Sequence, residues 1–132
     1  MMAAILKELC ERYLDALNQG DLAAVMSLFT EDAVIKSPLY GEMPASTFYR
    51  DLFADTTRSV TTLKNVFTQS TQVPAVALHF SYQWTLKSGK QVAFECVDVF
   101  ELSDSRDRFR QLTIIYDTAH LREDFYQSSA RQ

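Results

Sequence analysis

A two-residue alternation of apolar and polar side chains dominates the chain from Ser59 onward. β-branched and aromatic residues fill alternate positions of four long runs, which short polar or glycine-containing segments separate. This pattern is typical of strands that bury one face. It predicts strands at 60–70, 75–86, 92–102 and 109–117. Because the connections are short, we expect consecutive strands to pair as an antiparallel meander.

The first part of the chain has the spacing of amphipathic helices instead. Apolar side chains recur every three or four residues from Leu6 to Leu17, and Gly20 is suited to end this first helix. Asp21 is a good N-cap for a second, short helix that extends to Phe29. The two helices should therefore form a tight pair.

Shorter elements complete the predicted topology. A turn at 30–32 precedes a short strand at 33–37 that Pro38 ends, and Pro44 can open a third helix. A small closing helix or a docked tail is expected at 119–126. Because helices come before the strands, the order of elements predicts an α+β fold.

Composition limits the classes of function. At 132 residues without a linker or repeat, residues 1–132 should form a single domain. The net charge of -4 and the pI near 5.1, with no Lys/Arg block, argue against a nucleic-acid or membrane partner. The first residues lack a sustained apolar core, so we expect neither a signal peptide nor a membrane span. Cys10 and Cys96 fit no metal spacing and suggest reduced thiols in the cytoplasm.

The third long strand carries an acid in an otherwise apolar row. Asp98 alternates with Phe94, Cys96 and Phe100 on the same predicted face. A lone carboxyl group on such a face is costly unless it is paired, hydrogen-bonded or neutral. Asp98 therefore either lines a pocket or makes a structural hydrogen bond.

Two registers compete for the hairpin that contains this acid. A two-residue loop at Ser88 and Gly89 would place Asp98 opposite His79 and split the apolar rows between two faces. A three-residue loop that ends at Gly89 aligns Asp98 with Leu78 and keeps the rows together. We choose the second register, which turns His79 outward as an interface or solvent residue rather than a general base.

The inner face of the predicted sheet is rich in aromatic side chains. Such residues would form the walls of an apolar pocket for a small ligand that contains an aromatic or alicyclic ring. The expected wall residues are Phe80, Tyr82, Trp84, Phe94, Ile114 and Tyr116.

The outer face of the predicted sheet is only partly polar. Val97 and Val99 lie there among polar cross-strand neighbours. A half-apolar face on a small sheet often meets another subunit, so we expect a homodimer through this surface.

The helical segment 11–22, with its Asn-Gln-Gly-Asp turn, and the following Leu-Phe-Thr-Glu-Asp-Ala-Val at 28–34 resemble the nuclear transport factor 2-like superfamily. Within it, the chain is most similar to SnoaL-like proteins and ketosteroid isomerases. The resemblance implies a cystatin-like cone or α+β barrel, in which N-terminal helices pack in the concave face of a curved antiparallel sheet.

The resemblance also implies roles for four residues. Tyr13 and Asp98 match the tyrosine and the protonated aspartic acid that form the oxyanion hole of ketosteroid isomerases. Ser37, before Pro38, stands where those enzymes have their aspartate base, and a serine hydroxyl cannot take the proton unaided. On the third helix, with Phe48 and Leu52, Phe53 replaces a supporting tyrosine.

These comparisons predict a small-molecule-binding protein with an apolar pocket. If it is an enzyme, the resemblance implies an isomerase, cyclase or dehydratase that stabilises an enolate without a metal or organic cofactor. The alternative is a non-catalytic ligand-binding or dimerisation module. A base within reach of the ligand would favour the enzyme, and a pocket with donors only would favour the binder.

Overall fold

The computed structural model describes residues 2–69 and 73–128, and its elements occur in the predicted order with one additional short strand. The helices are α1 (Met2–Gln19), α2 (Leu22–Met26), α3 (Ala45–Ala54) and α4 (Arg122–Ser128). The strands are β1 (Phe29–Ser37), β2 (Gly41–Pro44), β3 (Thr56–Gln69), β4 (Ala75–Leu86), β5 (Gln91–Leu102) and β6 (Phe109–Ile115). The α+β class is confirmed.

The strands form one curved, unclosed sheet in the order β2-β1-β6-β5-β4-β3. The meander from β3 to β6 is antiparallel throughout, as predicted. The sheet is mixed rather than purely antiparallel, because β1 pairs with β6 in the parallel direction. These two strands are far apart in sequence, so no hairpin dictates their relative direction.

The structure differs from the prediction around β1. The expected turn at 30–32 lies within the strand, and the second helix accordingly ends at Met26. The pairing of β1 with β6 shifts register between Phe29 and Val34, which leaves 30–32 mostly outside the core. The polar residues at 30–32, which suggest a turn in the sequence, therefore lie at a register shift within strand β1.

Two other strand boundaries also differ. Gly41–Pro44 has no predicted strand but forms β2, because it turns back and pairs with the end of β1. The last predicted strand reaches 117, whereas β6 ends at Ile115. Position 70 of the first predicted strand lies outside the described residues.

The N-terminal helices pack on the inner face of the sheet through the predicted apolar stripe. Asp21 caps α2 by accepting a hydrogen bond from the amide of Ala24 over 3.0 Å. Gly20 adopts φ +63, the left-handed conformation that commonly ends a helix. The buried side chains of α1 are Leu6, Leu9, Cys10, Tyr13, Leu14, Ala16 and Leu17.

The three-residue register of the β4–β5 hairpin is confirmed. Leu78 pairs with Asp98, and Gly89 adopts φ +93 at the end of the loop. On the opposite face, Nε2 of His79 lies 2.8 Å from Oε1 of Glu95. Asp98 therefore faces the core, and His79 faces outward.

The closing helix begins later than predicted, at Arg122 instead of 119. Its buried Phe125 packs against the rings of Tyr40 and Trp84, with centroids 5.1 and 5.9 Å away. Arg122 donates to the carbonyl oxygen of Pro38 over 3.1 Å. The helix thus covers one end of the inner face. Within the described ranges, none of the helices combines the length and apolar character that a membrane crossing needs.

Candidate functional site

A cavity lies between the helices and the concave face of the sheet. Its free volume is about 40 Å³, which is room for roughly three water-sized spheres. The structure brings together nine of the ten residues predicted for the site, namely Tyr13, Ser37, Phe80, Tyr82, Trp84, Phe94, Asp98, Ile114 and Tyr116. Leu17, Tyr40, Phe48, Leu52 and Cys96 complete the lining.

Phe53 does not line this cavity. It lies in a separate surface groove with Asn18 and Gly20. Phe48 and Leu52 are four residues apart and therefore share a helix face, which Phe53 does not. The prediction that Phe53 lines the pocket is therefore wrong, because Phe53 lies in the surface groove.

The third helix supplies a tyrosine that contacts the lining residue Tyr13. The hydroxyl oxygen of Tyr49 lies 2.7 Å from that of Tyr13, and either group can be the donor. Tyr49 is completely buried, so its hydroxyl depends on this contact. The sequence contains a signal for it, because Ala45, Phe48, Tyr49 and Leu52 have the spacing of one buried helix face.

Asp98 is the buried acid of the cavity. Its exposed fraction is 2 %. Burial raises its pKa from 3.8 to about 7, although hydrogen bonding from Cys96 and Tyr13 partly offsets this effect. The thiol Sγ of Cys96 donates to Oδ1 over 3.1 Å. At neutral pH a substantial share of Asp98 is therefore protonated and able to donate a hydrogen bond.

Burial also keeps the phenol groups of the cavity neutral. The pKa of Tyr13 lies well above its ordinary value, because burial and the nearby Tyr49 and Asp98 disfavour the phenolate. Burial likewise raises the pKa of Tyr82 and Tyr116. These tyrosines can donate hydrogen bonds, but they are poor bases at neutral pH.

Ser37 is held by the backbone turn that follows it. Its hydroxyl oxygen accepts hydrogen bonds from the amides of Leu39 and Tyr40, each over 3.3 Å. Because a hydroxyl oxygen has two lone pairs, both acceptor positions are engaged. The hydroxyl proton of Ser37 remains available to donate, while its capacity to accept a proton is small.

The aromatic walls are held by contacts with neighbouring side chains. The indole Nε1 of Trp84 donates to Oγ1 of Thr56 over 2.8 Å, and the hydroxyl groups of Tyr82 and Ser59 lie 2.8 Å apart. Phe94 and Tyr116 stack with a centroid distance of 4.5 Å. These anchors define the shape of the apolar part of the cavity.

The other charged groups near the sheet lie outside the cavity. His79, the general base rejected above, is on the outer face. Two other acids of the described residues, Asp117 and Glu42 on β2, are exposed. None of the described residues that line the cavity is Lys, Arg or His. Across residues 2–69 and 73–128, no group of three or more His, Cys, Asp and Glu side chains is arranged to hold a metal ion.

The sequence itself matches a known family. The SnoaL-like domain matches residues 10–108, which is most of the chain. The chain therefore belongs to the SnoaL-like family, with a nuclear transport factor 2-like fold. Among curated proteins no significant match is found.

Solved structures agree with this fold. PrhC from Penicillium brasilianum aligns with a TM-score of 0.79 at 14% identity, over 97% of this chain and 89% of that chain. TsrD from Streptomyces laurentii aligns with a TM-score of 0.72 at 16% identity, over 93% of this chain and 96% of that chain. The third structure is a protein with a ketosteroid isomerase-like fold from Catenulispora acidiphila, in complex with trimethylamine. It aligns with a TM-score of 0.70 at 14% identity, over 83% of this chain and 85% of that chain.

Proposed function

We propose that the protein binds a small ring-containing molecule through a single oxygen atom, which accepts hydrogen bonds from Tyr13 and from protonated Asp98. The observation that carries this proposal is a buried acid beside a buried phenol in an otherwise apolar cavity. Such a combination of apolar walls and a few convergent polar groups is typical of ligand sites. When Tyr49 donates to Tyr13, the Tyr13 hydroxyl can turn its own proton from Asp98 to the ligand oxygen.

The donor set favours a phenol, an enol or an enolate over a carboxylate. The polar groups are neutral donors, and none of the described lining residues is Lys, Arg or His to balance a carboxylate charge. A ligand carboxylate would also lie beside Asp98, so the two acids would disfavour each other's ionised form. A ligand larger than the free volume of about 40 Å³ requires movement of the lining side chains.

Phenol and benzoate test this preference directly, since they differ in the acidic group on the same ring. We expect phenol to quench Trp84 fluorescence and benzoate to have little effect. Tyr13→Phe or Asp98→Ala should weaken phenol binding by about 1–3 kcal/mol, because each removes a hydrogen bond from a desolvated site. Equal binding of both ligands, or no effect of either variant, would contradict the proposal.

For catalysis, the site supports enolate stabilisation in an isomerisation, cyclisation or dehydration. The alternative is a non-catalytic binder, which the engaged acceptor positions of Ser37 favour. Donors stabilise an enolate but do not generate one. We expect the parent protein to be inactive on a ketosteroid and Ser37→Asp to gain measurable isomerase activity. Activity of the parent would mean that another group acts as the base.

We also propose a homodimer through the outer face of the sheet. Phe67 and Ile115 are 60% and 53% exposed there, beside half-buried Val97 and Val99. An apolar surface of this kind is stabilised by contact with a second subunit. Ile115→Glu should produce a monomer in light scattering at micromolar concentration, whereas Ile5→Glu, an equally exposed site on α1, should not. A monomeric parent would refute the dimer.

The free, buried thiols of Cys10 and Cys96 are compatible with a reducing compartment, and we propose a cytoplasmic location. A fluorescent fusion of the full chain, followed by fractionation of the cells, measures this location. Recovery in a secreted fraction would contradict it.

A further inference from the structure

Cys96 contacts the acid that the proposed binding mode depends on. It lies two residues before Asp98 on the same face of β5, and its Sγ donates to Oδ1 over 3.1 Å. Both side chains are buried and line the cavity. Because both residues belong to one strand, their relative geometry is set by the backbone of β5 rather than by a flexible segment.

The direction of this hydrogen bond determines where the acidic proton can reside. A protonated carboxyl group has one oxygen that donates and one that only accepts. Since the Cys96 thiol donates to Oδ1, that oxygen is the acceptor, and the proton belongs on Oδ2. A proton on Oδ1 would compete directly with the thiol hydrogen.

We propose that Cys96 is a positioning residue, which engages Oδ1 of Asp98 so that Oδ2 and its proton are presented to the ligand. This inference rests on the ligand-binding role proposed above for Asp98 and explains how the carboxyl group is oriented for that role. Without the thiol, the carboxyl group can exchange its two oxygens, and only part of the population presents a correctly placed proton.

The surroundings of Asp98 make its titration a suitable measurement. The titratable groups that face it from other elements are neutral at pH 7, since burial raises the pKa of each. They are Cys10 and Tyr13 on α1, Tyr49 on α3, Tyr82 on β4 and Tyr116 after β6. A change in the titration of Asp98 in a Cys96 variant therefore reports on the hydrogen bond from Cys96.

Cys10 offers a matched control. It is a second buried thiol near Asp98, and none of the described hydrogen bonds joins the two residues. The test compares Cys96→Ala, Cys96→Ser and Cys10→Ala in the full chain. The carboxyl ¹³C signal of Asp98 is followed against pH, and phenol affinity is measured by calorimetry at about pH 5, where Asp98 is protonated in every variant.

We expect Cys96→Ala to raise the midpoint of the Asp98 titration, because a donor to the carboxylate is lost. It should also reduce phenol affinity at about pH 5 by roughly two- to threefold, because the correctly oriented carboxyl group falls to about a half or a third of the population. Cys96→Ser should restore both properties, and Cys10→Ala should leave both unchanged. If Cys96→Ala does not fold, Cys96→Val fills the space without donating.

Unchanged phenol affinity in Cys96→Ala, or an equal loss in Cys10→Ala, would overturn the proposal, because packing alone would then account for the effect. If the parent does not bind phenol, the proposed function fails separately. In that case the midpoint of the Asp98 titration alone tests the positioning role. An unchanged midpoint in Cys96→Ala refutes that role.

Discussion

The two faces of β5 give the same chemical group opposite properties. Asp98 points inward, where burial raises its pKa to about 7. Glu95 points outward, where hydrogen bonding from His79 and the nearby charge of Lys64 lower its pKa. A single strand therefore carries a carboxyl group that can be neutral at neutral pH and another that is an anion.

This difference follows from the two-residue period of the strand. Adjacent positions of β5 differ by whether the side chain contacts helices or solvent, and the register assigns each residue to one of these environments. A one-residue slip would exchange the faces, bury Glu95 and expose Asp98. Register therefore controls the charge of the cavity as well as the packing of the core.

The largest expected difference between the faces is in packing. Phe80 is 1% exposed on the inner face of β4, and Phe67 is 60% exposed on the outer face of β3. Phe80→Ala should lower the free energy of unfolding by about 3–5 kcal/mol through the cavity it leaves. In the monomeric Ile115→Glu variant, Phe67→Ala should change it by less than about 0.5 kcal/mol. Chemical denaturation measures both, and a cost of Phe67→Ala in this monomer comparable to that of Phe80→Ala would contradict the expected difference between the faces.

The buried acid should make the stability of the protein depend on pH. Because the folded pKa of Asp98 lies above its unfolded value, the folded state binds the extra proton and is favoured at low pH. Its contribution is fully present below the unfolded pKa near 3.8 and is lost as pH rises through about 7. A rise of this size is worth roughly 4 kcal/mol.

Asp98→Asn removes this dependence, since an amide does not titrate. As pH rises from about 4 to about 7, the parent should lose up to roughly 4 kcal/mol of unfolding free energy relative to Asp98→Asn. Urea denaturation across this pH range measures the gap between the two proteins. A constant gap would mean that folding does not raise the pKa of Asp98, and its donor role at neutral pH would then fail.

Much of this inner face is predictable from the sequence, because local alternation determines it. The apolar rows of β4 and β5 match in only one register, and that register alone directs Asp98 to the core and His79 to the outside. The N-cap at Asp21 and the loop glycine Gly89 are likewise local signals. Each depends on residues that are close together in the chain.

The features that the sequence did not predict depend on contacts between residues that are far apart in the chain. Tyr49 meets Tyr13 across 36 positions, and no local pattern indicates that their hydroxyl groups meet. The register shift after Phe29 arises from parallel pairing with β6, so the polar residues at 30–32 resemble a turn. The short strand β2 forms only because β1 is there to pair with it.

The hydrogen bond between Tyr13 and Tyr49, which the sequence did not predict, should have an intermediate effect on the free energy of unfolding. Tyr49→Phe keeps the ring and removes only the hydroxyl partner of Tyr13. It should reduce the free energy of unfolding by about 1–3 kcal/mol, because the Tyr13 hydroxyl is left buried without this contact. Tyr126→Phe, which alters a more exposed hydroxyl, is the control for removing a phenol oxygen. If both variants behave alike, burial does not strengthen the inner contact.

The smallest effect is expected for the outer carboxyl group. The side chain of Glu95 is 61% exposed, so solvent and salt screen its contacts with His79 and Lys64. Because its folded pKa is lowered, any stabilisation is present above its ordinary pKa of 4.5 and is lost as pH falls below it. In the monomeric Ile115→Glu variant, Glu95→Gln should therefore leave the unfolding curve at neutral pH and physiological salt unchanged. A loss in this monomer as large as that of Tyr49→Phe would contradict the screening of these contacts by solvent. A loss confined to the dimeric parent would mean that the second subunit shields the contacts from water.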